Sequence, residues 1–207
     1  MGHVVGEPAY GAKEGSGNPL LVATGLSIGR SGRALAGNID LAFRTGQITA
    51  LVGANGAGKS TLSLTLAGLL KPVAGEVRAC GDLARGVDDP HPLSWSSREL
   101  AARISYVFQN PEHQFARGTV LDEVMLGPLR TGMDEEKARA RAEDLLARFN
   151  LGRYARANPY TLSGGEKRRL TVAAALAAAP RVLILDEPTF GQDRRTWMQL
   201  VRLIRGL

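Results

Sequence analysis

Short runs of apolar residues, some alternating with polar residues and some continuous, predict six β-strands along the chain. They lie at 20–26, 39–43, 47–52, 75–81, 104–108 and 182–185. The segment 75–81 alternates as an edge strand does, whereas 182–185 is apolar throughout, as expected of a central strand in a parallel sheet. A turn at 29–32, rich in Gly and Ser, separates the first two strands.

Helical spacing of apolar residues dominates three other segments, which are 62–67, 120–149 and 163–179. In the second of these, Leu145, Leu146 and Phe149 form an apolar stripe with the spacing i, i+1, i+4. Because that segment falls between strand-rich stretches, we expect a helical insertion between two halves of an α/β core.

Composition and charge narrow the possible functions. With 44% hydrophobic residues the 207-residue chain can bury a core, and its net charge of +6 raises the question of a nucleic-acid partner. The arginines of 130–156 alternate with acidic residues and lack interleaved aromatic residues, which indicates a solvated helix face and disfavours nucleic acid. The longest apolar candidate, 172–185, is interrupted by a Pro-Arg pair, so we expect any membrane span to belong to another chain.

A glycine-rich loop follows the predicted strand 47–52 and precedes the predicted helix. It reads Gly53-Ala54-Asn55-Gly56-Ala57-Gly58-Lys59-Ser60-Thr61 and fits the phosphate-binding pattern G-x-x-x-x-G-K-[ST] at every fixed position. Lys59 is expected to reach the β- and γ-phosphates, and the Ser60 hydroxyl to ligate Mg²⁺. A glycine-rich turn with an incidental Lys-Ser pair is disfavoured, because chance would produce the full pattern in only about one such chain in a hundred.

Two carboxylates follow the apolar strand 182–185 directly. Carboxyl ends of parallel strands form the edge of the sheet at which phosphate-loop ligands bind, so Asp186 is expected to hold Mg²⁺ through water. Glu187 is expected to act as the base that polarises the attacking water. The alternative, two acids that only cap the next helix, is disfavoured by the phosphate loop.

The run Leu162-Ser163-Gly164-Gly165-Glu166 resembles the signature sequence of ABC ATPases, Leu-Ser-Gly-Gly-Gln, with Glu166 in place of the usual Gln. A Ser and two Gly at a helix start form an anion site. In that family the signature closes over the ATP of the opposite protomer, so the resemblance implies that Ser163 and Gly165 contact ATP across a homodimer or heterodimer.

The segment Phe108-Gln109-Asn110-Pro111-Glu112-His113-Gln114-Phe115 resembles the A component of energy-coupling factor importers, as do 119–124, 127–129 and 188–193, and Gln109 matches the Q-loop glutamine of ABC ATPases. The resemblance makes Gln109 a contact of Mg²⁺ and of the attacking water. It also implies a transmembrane coupling protein and a substrate-binding membrane protein as partners, at the cytoplasmic face of the membrane, with a vitamin, vitamin precursor or transition-metal ion as cargo. His113 lacks the nearby ligands of a metal site, so a surface or interface role is expected.

The resemblance spans roughly 20–207 and implies an α/β fold: a RecA-like phosphate-loop NTPase core of ABC type with an N-terminal antiparallel β portion and a helical subdomain. The expected boundaries are a flexible tail at 1–19, core at about 20–94 and 166–207, and the helical subdomain at about 95–165.

Two departures from the family pattern stand out. No aromatic residue lies between Tyr10 and Phe43 to stack on adenine, so either Arg30 substitutes through a cation–π contact or stacking on the purine is weak. No histidine follows His113, so the family's switch histidine and the C-terminal part of the fold are expected to be missing, leaving this form poorly active in hydrolysis. A soluble ABC ATPase acting on ribosomes or DNA, and a half-site that binds nucleotide without turnover, remain the alternatives.

Overall fold

An antiparallel sheet of three strands forms the N-terminal part of the computed structural model, which describes residues 17–109 and 115–186. The strands are β1 (Pro19–Arg30), β2 (Arg33–Arg44) and β3 (Ala74–Ala79), in the spatial order β2-β1-β3. Ser31 and Gly32 form the β1–β2 turn with φ values of 51° and 77°, the left-handed pair that a tight two-residue hairpin requires. The predicted hairpin and the predicted edge strand are therefore confirmed.

Two parallel strands form a second sheet. They are β4 (Ile104–Val107) and β5 (Val182–Leu185), and the register pairs the first residue of one with the first residue of the other. The parallel pairing predicted for 182–185 is confirmed. Since both strands run the same way, their carboxyl ends lie side by side at one edge of this sheet.

In the described residues, five α-helices connect and cover the strands. They are α1 (Lys59–Leu66), α2 (Ser97–Arg103), α3 (Val120–Arg130), α4 (Glu135–Arg148) and α5 (Gly164–Ala177). Short 3-10 helices lie at Gly81–Leu83, Pro92–Ser94, Gly152–Tyr154 and Pro159–Thr161. None of the helices that the structure describes is long and apolar enough to cross a bilayer.

Side-chain oxygens accept hydrogen bonds from the first-turn N–H groups of three of these helices and so fix where each begins. Ser96, Thr119 and Asp134 cap α2, α3 and α4 in this way. A cap of this kind contributes about 1 kcal/mol to helix stability. The sharp starts of α2, α3 and α4 therefore follow from local sequence.

The buried apolar residues that the structure describes fall into two clusters. One joins α3, α4 and α5 and includes the predicted stripe Leu145, Leu146 and Phe149, of which Phe149 is 0% exposed. The other joins β1, β3 and α1, with Leu21, Leu26 and Ile28 at its centre. The helical cluster and the strand-rich cluster thus correspond to the two kinds of periodicity in the sequence.

Residues 47–52 do not form the buried strand that their apolar composition predicts. The segment between β2 and α1 has no regular secondary structure, and Val52 is 83% exposed. An extended segment becomes a buried strand only where neighbouring strands pair with its N–H and C=O groups. Among the described strands, β1 pairs with β2 and β3, and β4 pairs with β5, so none of them pairs with 47–52.

Candidate functional site

The glycine-rich loop leads directly into α1. Gly56 and Gly58 have φ values of 79° and 92°, and Gly58 is the residue that precedes the first turn of α1. Lys59 Nζ donates hydrogen bonds of 2.9 Å to the carbonyl oxygens of Gly53 and Ala54. The lysine ammonium therefore lies over its own loop, next to the N-terminus of α1, where the helix dipole favours an anion.

A hydrogen bond joins this loop to the end of the parallel sheet. Ser60 Oγ donates to Asp186 Oδ1 over 2.9 Å, although the two residues are 126 positions apart in sequence. Hydroxyl and carboxylate oxygens are ligands that Mg²⁺ prefers. The residues present therefore fit a Mg²⁺ ion held between the start of α1 and the end of β5.

Tyr106, in β4, holds the other oxygen of the same carboxylate. Its hydroxyl donates to Asp186 Oδ2 over 3.0 Å. Burial, together with the negative charge of Asp186, raises the pKa of the Tyr106 phenol well above its usual value, so the group stays a donor. Asp186 is thus oriented from two sides, by Ser60 and by Tyr106.

Arg168, in α5, contacts the same edge of the sheet. Its side chain donates to the main-chain oxygen of Phe108 over 2.6 Å and to that of Asp186 over 3.0 Å. A third and longer contact, of 3.4 Å, runs to the main-chain oxygen of Gln109. One guanidinium therefore touches the residues that end both parallel strands.

The signature segment forms the N-terminal cap of α5. Ser163 donates to Glu166 Oε2 through its main-chain N–H over 2.9 Å and through its hydroxyl over 2.7 Å. Hydrogen bonds from Tyr154 and Ser163 lower the pKa of the Glu166 carboxyl to about 2, so it is ionised at neutral pH. In this structure the Ser163 hydroxyl therefore donates its hydrogen bond to Glu166.

The remaining predicted site residues fall into three groups. Arg30 ends β1 and is exposed; the Ile28 side chain, two residues earlier, lies 3.4 Å from where a Cβ on Gly58 would be, which places this end of the hairpin beside the loop. Several predicted residues are described without a contact that tests their roles: Asn55, Thr61, Gln109 and Gly165. Glu187, His113 and all residues after Asp186 lie outside the described residues.

Tyr106 and Arg168 are the two site residues that sequence reasoning missed. Tyr106 lies within an apolar strand and reads as part of the core, whereas Arg168 reads as one of several charged residues after the signature. The available signal was positional. Tyr106 is on the strand predicted to end beside Asp186, and Arg168 lies five residues after Ser163 in the helix that follows the signature.

Known proteins are similar to this chain in sequence. A family model described as ABC transporter matches residues 36–190. YkoD of Bacillus subtilis, a putative HMP/thiamine import ATP-binding protein, is 42% identical over 195 residues, covering 94% of this chain and 34% of the relative. EcfA of Methanosphaera stadtmanae, an energy-coupling factor transporter ATP-binding protein, is 37% identical over 172 residues, covering 82% of this chain and 59% of the relative. The chain thus spans only part of the length of these relatives.

Solved structures of similar chains have the same fold. CbiO1 from Clostridium perfringens, described as part of the ABC transporter complex cbiONQ, superposes with a TM-score of 0.75 at 30% identity, covering 91% of this chain and 73% of that one. The ATP-binding cassette MJ0796, in a dimeric post-hydrolysis state bound to ADP and Pi, gives 0.73 at 27% identity, covering 89% of this chain and 81% of that one.

Proposed function

This chain belongs to the ABC transporter family as an ATPase domain of that fold, and from that premise we propose that it is the ATP-hydrolysing subunit of an energy-coupling factor importer. Its cargo in this proposal is a vitamin, a vitamin precursor or a transition-metal ion. The names of the relatives support this class, since they include import proteins for HMP/thiamine and for cobalt.

The observation that carries the proposal is the 2.9 Å contact between Ser60 and Asp186. It brings the phosphate loop and the acidic strand end, which the sequence separates widely, to one place. Lys59 supplies the positive charge for the β- and γ-phosphates, and the glycines of the loop let its N–H groups approach them. Mg²⁺ bound between Ser60 and Asp186 would neutralise charge that develops on the phosphate oxygens.

Hydrolysis requires a base and a group that orients water. We assign the base to Glu187, which follows Asp186 in sequence, and the orienting role to Gln109, which follows the end of β4. Since β4 and β5 are adjacent and parallel, Val107 and Leu185, which end them, lie at the same edge of the sheet. The cation–π contact of Arg30 with adenine remains part of the proposal.

A second protomer completes the site in this proposal. Ser163 and Gly165 begin α5, whose N-terminus favours an anion, and they would contact the ATP held by the partner. The dimeric cassette bound to ADP and Pi supports this arrangement. The complex that contains CbiO1 supports docking of the dimer to membrane proteins at the cytoplasmic face, where a coupling protein and a substrate-binding protein are the proposed partners.

Binding calorimetry with ATP and Mg²⁺ tests the proposal. Lys59→Ala should remove measurable binding and phosphate release, because the phosphates lose their point-charge partner. Lys71→Ala is the matched control, since Lys71 is an exposed lysine after the end of α1, and it should bind as the wild type does. Equal affinity of Lys59→Ala and wild type would overturn the nucleotide site, and binding without phosphate release by the dimer would favour a non-catalytic half-site.

A further inference from the structure

Arg168 is a buried charge whose hydrogen bonds run to main-chain oxygens at the ends of two strands. The residue is 4% exposed. One terminal nitrogen donates to Phe108 O over 2.6 Å, just beyond β4, and the other donates to Asp186 O over 3.0 Å, just beyond β5. The guanidinium thus bridges the two strands that carry Gln109 and Asp186.

This burial is costly unless the bridge has a role. Removing an arginine from water is unfavourable, and a well-packed apolar residue of similar volume often serves stability equally well. Burial lowers the pKa of the Arg168 guanidinium while the charge of Asp186 raises it, but an arginine stays charged in a protein. The charged side chain therefore holds two carbonyl groups in place, which an apolar side chain cannot do.

We propose that Arg168 is a positioning residue that fixes the ends of β4 and β5 to the signature helix α5, so that Asp186 and Gln109 face one Mg²⁺-nucleotide. This inference rests on the proposed function. The bridge uses the planar fork of arginine, whose two terminal nitrogens serve different strands. A lysine at the same place keeps the charge but is a point donor, so it reaches one strand end and releases the other.

The helix offers a matched control in the next residue. Arg169 Nε donates to Phe149 O over 3.0 Å, so this arginine joins α5 to the end of α4 and not to the strands. Arg168→Lys and Arg169→Lys therefore make the same chemical change, one turned toward the nucleotide site and one turned toward the helical cluster. A loss of helix stability affects both variants, whereas a loss of positioning affects only the first.

The experiment is a Mg²⁺ titration of ATP binding, followed by fluorescence of a labelled ATP, on the full chain and both variants. Arg168→Lys should raise the Mg²⁺ concentration at half-saturation about tenfold, the effect of one lost hydrogen bond from a charged donor. ATP affinity without Mg²⁺, which the phosphate loop sets, should stay within about twofold of wild type. Arg169→Lys should match wild type in both measurements.

Two results would overturn the inference. One is an Arg168→Lys variant with the Mg²⁺ dependence of wild type, and the other is an equal shift in Arg168→Lys and Arg169→Lys. If Arg168→Lys does not fold, Arg168→Gln, which keeps a shorter planar donor, is measured against the same two criteria. Failure of the wild type itself to bind ATP would instead overturn the proposed function, so the two failures are distinguishable.

Discussion

Removing the hydroxyl of Tyr106 should destabilise the protein, chiefly through the loss of its hydrogen bond to Asp186. Tyr106→Phe keeps the ring and its packing but deletes the donor that lies 3.0 Å from Asp186 Oδ2. A hydrogen bond to a charged group contributes about 1.5–3 kcal/mol to stability. Both residues are only partly buried, so we expect the lower end, about 1.5 kcal/mol.

Thermal unfolding by circular dichroism measures this loss directly. For a chain of this size, about 1.5 kcal/mol corresponds to a fall in Tm of about 3–6 °C. Tyr160→Phe is the matched control, because the Tyr160 hydroxyl donates over 3.2 Å to a neutral carbonyl, that of Phe115, from an exposed position. That variant should lose at most about 1 kcal/mol.

A double-mutant cycle with Asp186→Ala decides whether the loss belongs to this pair. If Tyr106 acts through Asp186, the two substitutions should be less than additive by about 1 kcal/mol. Full additivity would refute the reasoning, as would a Tyr106→Phe variant whose Tm equals that of the wild type.

Two further predictions concern the signature cap and a tight contact. Glu166→Gln should strengthen ATP-dependent dimerisation in light scattering, because a neutral amide oxygen accepts from the Ser163 hydroxyl more weakly than a carboxylate does and competes less with the partner's phosphate; an unchanged dimer would contradict this. The stability that Glu166 adds should be complete above its ordinary pKa of 4.5 and be lost as the pH falls toward its folded-state pKa of about 2, so wild type and variant should converge in acid melts. Gly68→Ala should destabilise by more than about 1 kcal/mol in urea, since its Cβ would lie 2.6 Å from the Pro92 main chain at a φ of 73°. Gly86→Ala has a φ of 74° and open space around its Cβ, so a loss as large as that of Gly68→Ala would show that the contact is irrelevant.

The elements with local signals were predictable from sequence. The hairpin of β1 and β2, the edge strand β3 and the helices α3 to α5 depend on periodicity, caps and turn residues that lie within each segment. The conformation of 47–52 was not predictable in the same way. A continuous apolar run indicates that a segment favours burial, but it does not indicate whether a partner strand is available to pair with it. Val52 is consequently exposed although its neighbours in sequence are apolar.

The residues of the candidate site also differ in whether local sequence predicted them. The glycine-rich loop is a pattern with fixed spacing and Asp186 directly follows an apolar strand, so the sequence alone predicted that they would meet, and the structure places Ser60 against Asp186. Tyr106 and Arg168 act through contacts between segments that are 80 and 18 positions from Asp186, and no local pattern marks them. Residues that orient a motif from outside it become visible only when the fold brings them together.

Helix α5 links the signature residue Ser163 to the positioning residue Arg168. Ser163 precedes its first turn and is assigned to the nucleotide of the partner, whereas Arg168 contacts the strand ends of its own site. Five residues of an α-helix span only about 7.5 Å, so the two contacts share one rigid body. On the proposed function, a shift of α5 that improves the contact of Ser163 with the partner's phosphate must also move the carbonyl groups that Arg168 holds. In that proposal, the nucleotide occupancy of one site would affect the other site through this single helix, with no need for a longer chain of contacts.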